Sequence, residues 1–208
     1  MLGKSYLIGI AGPSGAGKSF LAESLGHALV APVLSLDHYY RDLSHLPCEV
    51  RGHSNFDDPA ALEHELLISQ IRELAEGHAI AVPIYDFTQH TRSGEARFLL
   101  PGRYVIVEGI FTLYWLELRS LLRTSVYVEA NEALCLERRM ERDVRERGRT
   151  AESVLEQVRS SVLPMMQRYV MPTRSHADVV VSGEADIQQN LTHVLRHLQH
   201  VSSNEIRQ

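Results

Sequence analysis

Short apolar runs alternate along the chain with one-sided helical stretches. Tyr6-Leu7-Ile8-Gly9-Ile10-Ala11, Pro32-Val33-Leu34-Ser35-Leu36, Tyr104-Val105-Ile106-Val107, Ser125-Val126-Tyr127-Val128 and Asp178-Val179-Val180-Val181 are continuous and rich in β-branched residues. Runs of this kind suit strands covered on both faces, as in a parallel sheet. Between them, Asp58-Pro59 places an N-cap and a first-turn proline before Leu62, Leu66, Leu67, Ile71 and Leu74, and Gly77 supplies the stop. Ile187, Leu191, Leu195 and Leu198 form one stripe on the last helix. The alternation predicts an α/β fold, a parallel sheet flanked by helices, in a single domain over residues 1–201. Residues 79–100 break the rhythm. Ala81-Val82-Pro83-Ile84-Tyr85 and Arg97-Phe98-Leu99-Leu100 read as a small antiparallel hairpin, with Gln89, His90, Thr91, Arg92 and Gly94 between them. Polar and aromatic residues gathered on such a flap suit a ligand better than a core. The polar tail, residues 202–208, is expected to fray.

Composition narrows the function classes. The 208 residues carry 21 Lys plus Arg against 26 Asp plus Glu, a formal charge of −5. An acidic chain is a poor ligand for duplex nucleic acid, whose binding rests on neutralised phosphates. No run approaches the ~20 apolar residues of a membrane span. Met1-Leu2-Gly3-Lys4 leads straight into an apolar run ending in glycines, not in a signal-peptide cleavage site. Two cysteines, Cys48 and Cys135, make no disulfide framework. A cytoplasmic protein with small-molecule partners is the expectation.

Gly12-Pro13-Ser14-Gly15-Ala16-Gly17-Lys18-Ser19 fits G-x-x-x-x-G-K-[ST] and lies between an apolar strand and a helix. Glycines let successive N–H groups turn inward on a phosphate, and the helix N-terminus adds partial positive charge. Lys18 then reaches the β/γ oxygens and the Ser19 hydroxyl a Mg²⁺ ion. Asp37 follows the second apolar run and Glu108 the third, where ligands of open α/β sheets bind. Two carboxylates facing a triphosphate suit acid/base and metal-holding work, Glu108 and Asp37 joining Ser19 around the metal. Arg138, Arg139, Arg142, Arg145, Arg147 and Arg149 crowd residues 138–149. Leu136, Met140 and Val144 recur every four residues there, which predicts an amphipathic helix. Arg138, Arg142, Arg145 and Arg149 share one side of it, and like charges at this spacing repel unless an anion separates them. The segment reads as a lid over a triphosphate, with Gly148 as its stop.

A switch GTPase would show Asn-Lys-x-Asp and a transport ATPase Leu-Ser-Gly-Gly; neither is present. A compact kinase or an ATP-binding regulator remains. Five further motifs, in order, resemble the uridine/cytidine kinase family over nearly the whole chain. Asp37-His38-Tyr39-Tyr40-Arg41-Asp42 is similar to its Asp-x-aromatic-Tyr-Lys segment, with Arg41 replacing Lys. Asn55-Phe56-Asp57-Asp58-Pro59, Pro83-Ile84-Tyr85-Asp86-Phe87 with His90-Thr91-Arg92, Glu108-Gly109-Ile110, and Arg142-Asp143-Val144-Arg145-Glu146-Arg147-Gly148-Arg149 resemble the rest.

The resemblance implies a P-loop NTPase-type sheet with a nucleoside-binding hairpin and an Arg-rich lid. It implies ATP-dependent phosphorylation of the 5′-hydroxyl of uridine and also of cytidine, in pyrimidine salvage, with Mg²⁺ and with ATP or GTP as donor. Asp37 would be the general base, Lys18 and Arg142 its catalytic companions, and Arg145, Arg147 and Arg149 ligands of the donor phosphates. Asp57 would hold ribose hydroxyls, Tyr40 and Tyr85 wall the nucleoside, His90 read the pyrimidine edge, Arg142 face the acceptor and Gln157 touch the ribose. A homotetramer is implied as well. The alternatives are a kinase of another hydroxyl substrate, phosphoribulokinase- or pantothenate-kinase-like, and a silent ATP-binding regulator.

Overall fold

A computed structural model describes residues 4–205. Five strands, β1 (Tyr6–Ala11), β2 (Val33–Ser35), β5 (Tyr104–Glu108), β6 (Thr124–Glu129) and β7 (Val179–Ser182), form one sheet in the order β2-β5-β1-β6-β7. Every pairing is parallel, with Tyr6 beside Tyr104 and Ile8 beside both Ile106 and Thr124. Successive side chains leave opposite faces of a strand. Leu7, Leu34, Val105 and Val107 therefore pack on one face with α3 (His64–Ala75) and the hairpin of β3 (Ile80–Asp86) and β4 (Thr91–Leu99). Ile8, Ile10, Ile106, Val126 and Val128 pack on the other with α1 (Lys18–Leu29) and α8 (Ile187–Glu205). Strands buried on both sides are what the continuous apolar runs required. α2 (Cys48–Arg51) and α4 (Leu116–Arg119) are single turns in the connections.

The hairpin is larger than expected. β3 spans Ile80–Asp86 and β4 Thr91–Leu99, so Thr91, Arg92 and Gly94 belong to a strand rather than to the loop. Tyr85 pairs with Arg92 and Asp86 with Thr91, which leaves a tight turn whose last residue, His90, has φ 53°.

Two boundaries differ from the sequence pattern. Asp58 caps a short 3₁₀ turn, Pro59–Ala61, rather than the long helix, and Leu62 is extended in an isolated bridge with Tyr40. The bridge ties the end of the 3₁₀ turn Leu36–Tyr39 to the approach to α3, so tertiary pairing overrides the local helical pattern. At the other end, α8 runs through Glu205, beyond the residue 201 boundary, because Leu191, Val194 and Leu198 anchor it to the sheet; the rest of the expected tail, 206–208, lies outside the described residues.

α5 (Glu132–Arg147) carries the arginines and stops at Gly148, φ 65°. α6 (Ala151–Gln157) continues through π-helical turns at Val158–Val162 and Met166–Val170 around the single turn α7 (Leu163–Met165). Pro164 lacks an N–H for the α ladder. Ser160 and Ser161 donate their hydroxyls to the carbonyls of Glu156 and Gln157, 2.8 and 3.0 Å, where the ladder widens.

Candidate active site

Between β1 and α1 the chain must turn in six residues, and glycines allow it. Gly15 has φ 83°, and a Cβ there would stand 2.2 Å from the Cys135 carbonyl oxygen. Only glycine meets both constraints. No side chain caps α1, so its first amides point at whatever anion the loop encloses. Lys18 is buried and its Nζ donates to the Pro13 carbonyl at 2.8 Å. Burial pushes its pKa down, against the pull of Glu108 and Asp37. Ser19 Oγ donates to Glu108 Oε2 at 3.2 Å.

Glu108 ends β5 opposite Ser35 of β2 and Ile10 of β1, at the C-terminal edge of the sheet. It is buried, and burial followed by the charge of Asp37 raises its pKa. Asp37 lies one residue inside the 3₁₀ turn Leu36–Tyr39; the cap of that turn is Ser35, whose Oγ accepts from the Asp37 N–H at 3.3 Å. The Asp37 carboxylate is thereby left for the cleft. Ser19, Glu108 and Asp37 all line that cleft. Their hard oxygens suit Mg²⁺. Among the described residues no group of three His, Cys, Asp or Glu gathers as a metal cage, so an ion here would share its shell with phosphates and water.

Over this floor lies α5. Its buried face is not the Leu136–Met140–Val144 stripe. Leu136 and Met140 pack outward on Val154, Val158 and Val162 of the next helical stretch, and Val144 is exposed. The buried line is Cys135, Arg139 and Asp143. Arg139 is paired with Asp57, Nη1 to Oδ1 3.0 Å and Nη2 to Oδ2 3.3 Å. Arg142 places Nε and Nη2 on Asp143 Oδ1 at 3.0 and 2.9 Å. Arg147 stands between Asp143 and Asp37, 3.6 and 4.0 Å away, with its guanidinium 4.8 Å from the centre of the Phe87 ring. Arg149 bonds Gln157 and lies 3.6 Å from Asp143. Gln157 Oε1 also accepts from Arg139 at 3.3 Å.

The acceptor side is aromatic. Tyr40 is buried, its hydroxyl donating to the Phe56 carbonyl at 3.1 Å, and its ring meets those of Phe56 and Tyr85 at 5.5 Å. Burial holds the Tyr40 phenol well above its usual pKa and raises that of Tyr85 to about 12. The buried Tyr85 hydroxyl has no hydrogen-bond partner among the described residues. His90 stacks on Phe56, centroids 4.5 Å apart and planes 20° apart. Burial, then Arg149 and Arg147, lower its pKa to about 4.

Lys18, Ser19, Asp37, Tyr40, Asp57, Glu108, Arg142, Arg147 and Arg149 thus converge on one cleft, with Ser14 of the loop. Tyr85 and His90 stand behind its aromatic wall. Two arginine placements correct the helical-side reading. Arg145 is not at the cleft: its side chain is 75% exposed and paired with Glu146. Arg138 donates to the carbonyls of Gly15 and Gly183, 3.4 and 3.0 Å, and so braces the phosphate loop from the far side. The side chains that face inward from α5 are Arg139, Arg142, Asp143 and Arg147, in the i, i+4 pairs Arg139–Asp143 and Asp143–Arg147. Sequence reasoning missed Arg139 and Asp143 because it took the apolar stripe for the buried face. The i, i+4 alternation of charge was the signal available.

A parallel sheet whose phosphate loop lies under an arginine lid defines a P-loop kinase, a phosphotransferase. The chain belongs to the Phosphoribulokinase / Uridine kinase family, whose profile matches residues 7–189. It is 42% identical over 182 residues to the uridine kinase of Aliivibrio fischeri (strain MJ11), 84% of this chain and 85% of that one. The uridine kinase of Aeromonas hydrophila subsp. hydrophila is equally similar, 42% over 84% of this chain and 85% of its own. Among solved structures, D-glycerate 3-kinase from Cryptococcus neoformans superposes with a TM-score of 0.61 over 88% of both chains at 16% identity, a likeness of fold alone. No helix among the described residues is long and apolar enough to cross a membrane.

Proposed function

We propose that this chain transfers the γ-phosphoryl group of ATP to the 5′-hydroxyl of uridine, and also of cytidine. The observation that carries the reading is the joint presence of Asp37 and Asp57 in the cleft that holds Lys18 and Ser19. One carboxylate stands beside the phosphate loop and the other deeper, against the aromatic wall. Asp57 accepts the two vicinal ribose hydroxyls, displacing its bond from Arg139, and this aims the 5′-hydroxyl at Asp37. Tyr40, Phe56 and Tyr85 wall the nucleoside, and His90, stacked on Phe56, reads the pyrimidine edge. Neutral at physiological pH, His90 has one ring nitrogen to donate and one to accept, which suits both uracil and cytosine.

The donor phosphates lie on the loop amides, with Lys18 on the β/γ oxygens. Ser19, Glu108 and Asp37 would hold Mg²⁺, whose chemistry there would be to neutralise charge on the transferring group. Asp37 takes the proton of the 5′-hydroxyl as the new O–P bond forms and the β–γ bridge breaks, leaving ADP and the nucleoside monophosphate. Arg142, Arg147 and Arg149 stabilise the spread charge of a loose transition state. The closed lid excludes water, the competing acceptor. The donor base packs beyond Gly17 in a groove of about 420 Å³ lined by Phe20, Arg138, Ala185 and Ile187. Reduced thiols at Cys48 and Cys135 agree with a cytoplasmic enzyme.

The test is ADP release from MgATP against uridine, cytidine, adenosine, ribulose 5-phosphate and pantothenate. Turnover confined to the pyrimidine ribosides is expected. Turnover only with a phosphosugar or pantothenate would move the chain to a sister kinase, and none with any acceptor would favour a regulator.

A further inference from the structure

Asp143 is a fully buried carboxylate that the chemistry above does not use. Four guanidinium groups surround it: Arg142 at 2.9 Å, Arg139 at 3.5 Å, and Arg147 and Arg149 at 3.6 Å. Two of these reach onward to the carboxylates of the acceptor side. Arg139 is paired with Asp57 at 3.0 Å and Arg147 with Asp37 at 4.0 Å. Asp57, Arg139, Asp143, Arg147 and Asp37 therefore form one alternating chain of charge across the cleft.

Local helix stability does not account for an acid at this place. Asp143 lies four residues from the end of α5, where the helix dipole disfavours negative charge. Burial adds a desolvation cost that only well-placed cations offset. The same residue's carbonyl takes the Gly148 and Arg149 amides that end the helix, which ties Asp143 to the turn between α5 and α6. The array is also not drawn tight. Asp143 Oδ2 and Arg139 Nε, 3.5 Å apart, make no aligned hydrogen bond among the described residues. The cleft beneath encloses about 60 Å³, far below the ~300 Å³ of a small-molecule site. Substrates must displace the Arg–carboxylate pairs that fill it, and each displaced arginine remains tethered to Asp143.

We propose that Asp143 is the positioning residue of the lid, coupling donor and acceptor binding: it holds Arg139 and Arg147 in one array, so that phosphates capturing one end reset the other. The naming of uridine in the test rests on the function proposed above; the role of Asp143 in the lid does not.

The experiment compares wild type, Asp143→Asn and Asp143→Glu by calorimetric titration of uridine with and without a non-hydrolysable MgATP analogue. Wild type should bind uridine at least about fivefold more tightly when the analogue is present, the lower end of ordinary coupling. In Asp143→Asn that ratio should fall below about twofold. Asp143→Glu, which keeps the charge, should recover part of the ratio. A wild-type ratio near one, or one unchanged in Asp143→Asn, overturns the proposal. A second arm needs no acceptor: limited trypsin digestion mapped by mass. Wild type should be cut in the lid first after the exposed Arg145, and Asp143→Asn also after Arg139, Arg142 and Arg147. Identical maps overturn the proposal even if uridine proves not to be the substrate, whereas failure of wild type to phosphorylate uridine removes only the acceptor reading.

Discussion

Asp37 owes its place to Ser35. Because the Ser35 hydroxyl caps the 3₁₀ turn, the aspartate side chain has no local backbone amide to satisfy and faces the cleft. Replacing it with Asn keeps the shape and removes the basicity. Asp37→Asn should lower kcat at least ~10²-fold, as loss of a general base does, with donor affinity nearly unchanged; steady-state kinetics beside donor titration would show it. His90 makes a different claim. Its pKa of about 4, set by burial and by Arg149 and Arg147, leaves it neutral over the working range. The KM for uridine should therefore show no inflection near pH 6.5, the ordinary imidazole value. The unfolded chain takes up that proton first, so folding stability should be full above pH 6.5 and decline as pH falls from 6.5 toward about 4. Thermal melts across that window measure it, and a KM that rises through pH 6.5 would contradict the shift.

At the scale of elements, the hairpin and the lid each depend on a carboxylate that takes no part in the phosphoryl transfer. Asp42 Oδ1 accepts from the Arg92 amide at 3.0 Å and the Ser44 amide at 3.2 Å, and Leu43 N–H donates to the His90 carbonyl at 3.2 Å. These bonds dock the Asp42–Ser44 loop on the turn that carries His90 in its left-handed conformation. Glu63, just before α3, adds a 2.7 Å pair with Arg92. Asp42→Ala removes the two amide bonds and a third from the Ser44 hydroxyl, each worth ~1 kcal/mol, so the KM for uridine should rise at least roughly tenfold while that for ATP holds. Equal changes in both would show that the loop serves the fold rather than the nucleoside. Arg41, where the resemblance has Lys, reaches the Ala60 carbonyl with Nε at 3.0 Å and braces the neighbouring turn.

Over the whole molecule, two apolar cores on opposite faces of one sheet hold a polar crest rigid. Phosphate loop, Asp37 and Glu108 stand at the C-terminal edge because parallel strands end there together. The hairpin projects from this frame with Phe98 76% and Leu100 70% exposed. The homotetramer expected from the family resemblance would have to cover these two side chains. Light scattering should give four times the protomer mass, and a monomer would refute it.

The strands and the phosphate loop were legible in the amino-acid order because their signals are local. A buried parallel strand needs contiguous apolar residues, and a phosphate turn needs glycine at fixed offsets before a helix. Asp37 and Glu108 were legible for the same reason, each following its strand directly. What only the tertiary structure decided is which side of α5 is inside. Leu136 and Met140 found partners on the helical stretch that follows, and this rotated Arg139 and Asp143 toward Asp57 and Asp37 while sending Arg145 to solvent. A helix segment with apolar residues on one side and paired charges on another can bury either, and the choice rests on side chains far away in the chain that satisfy the charges.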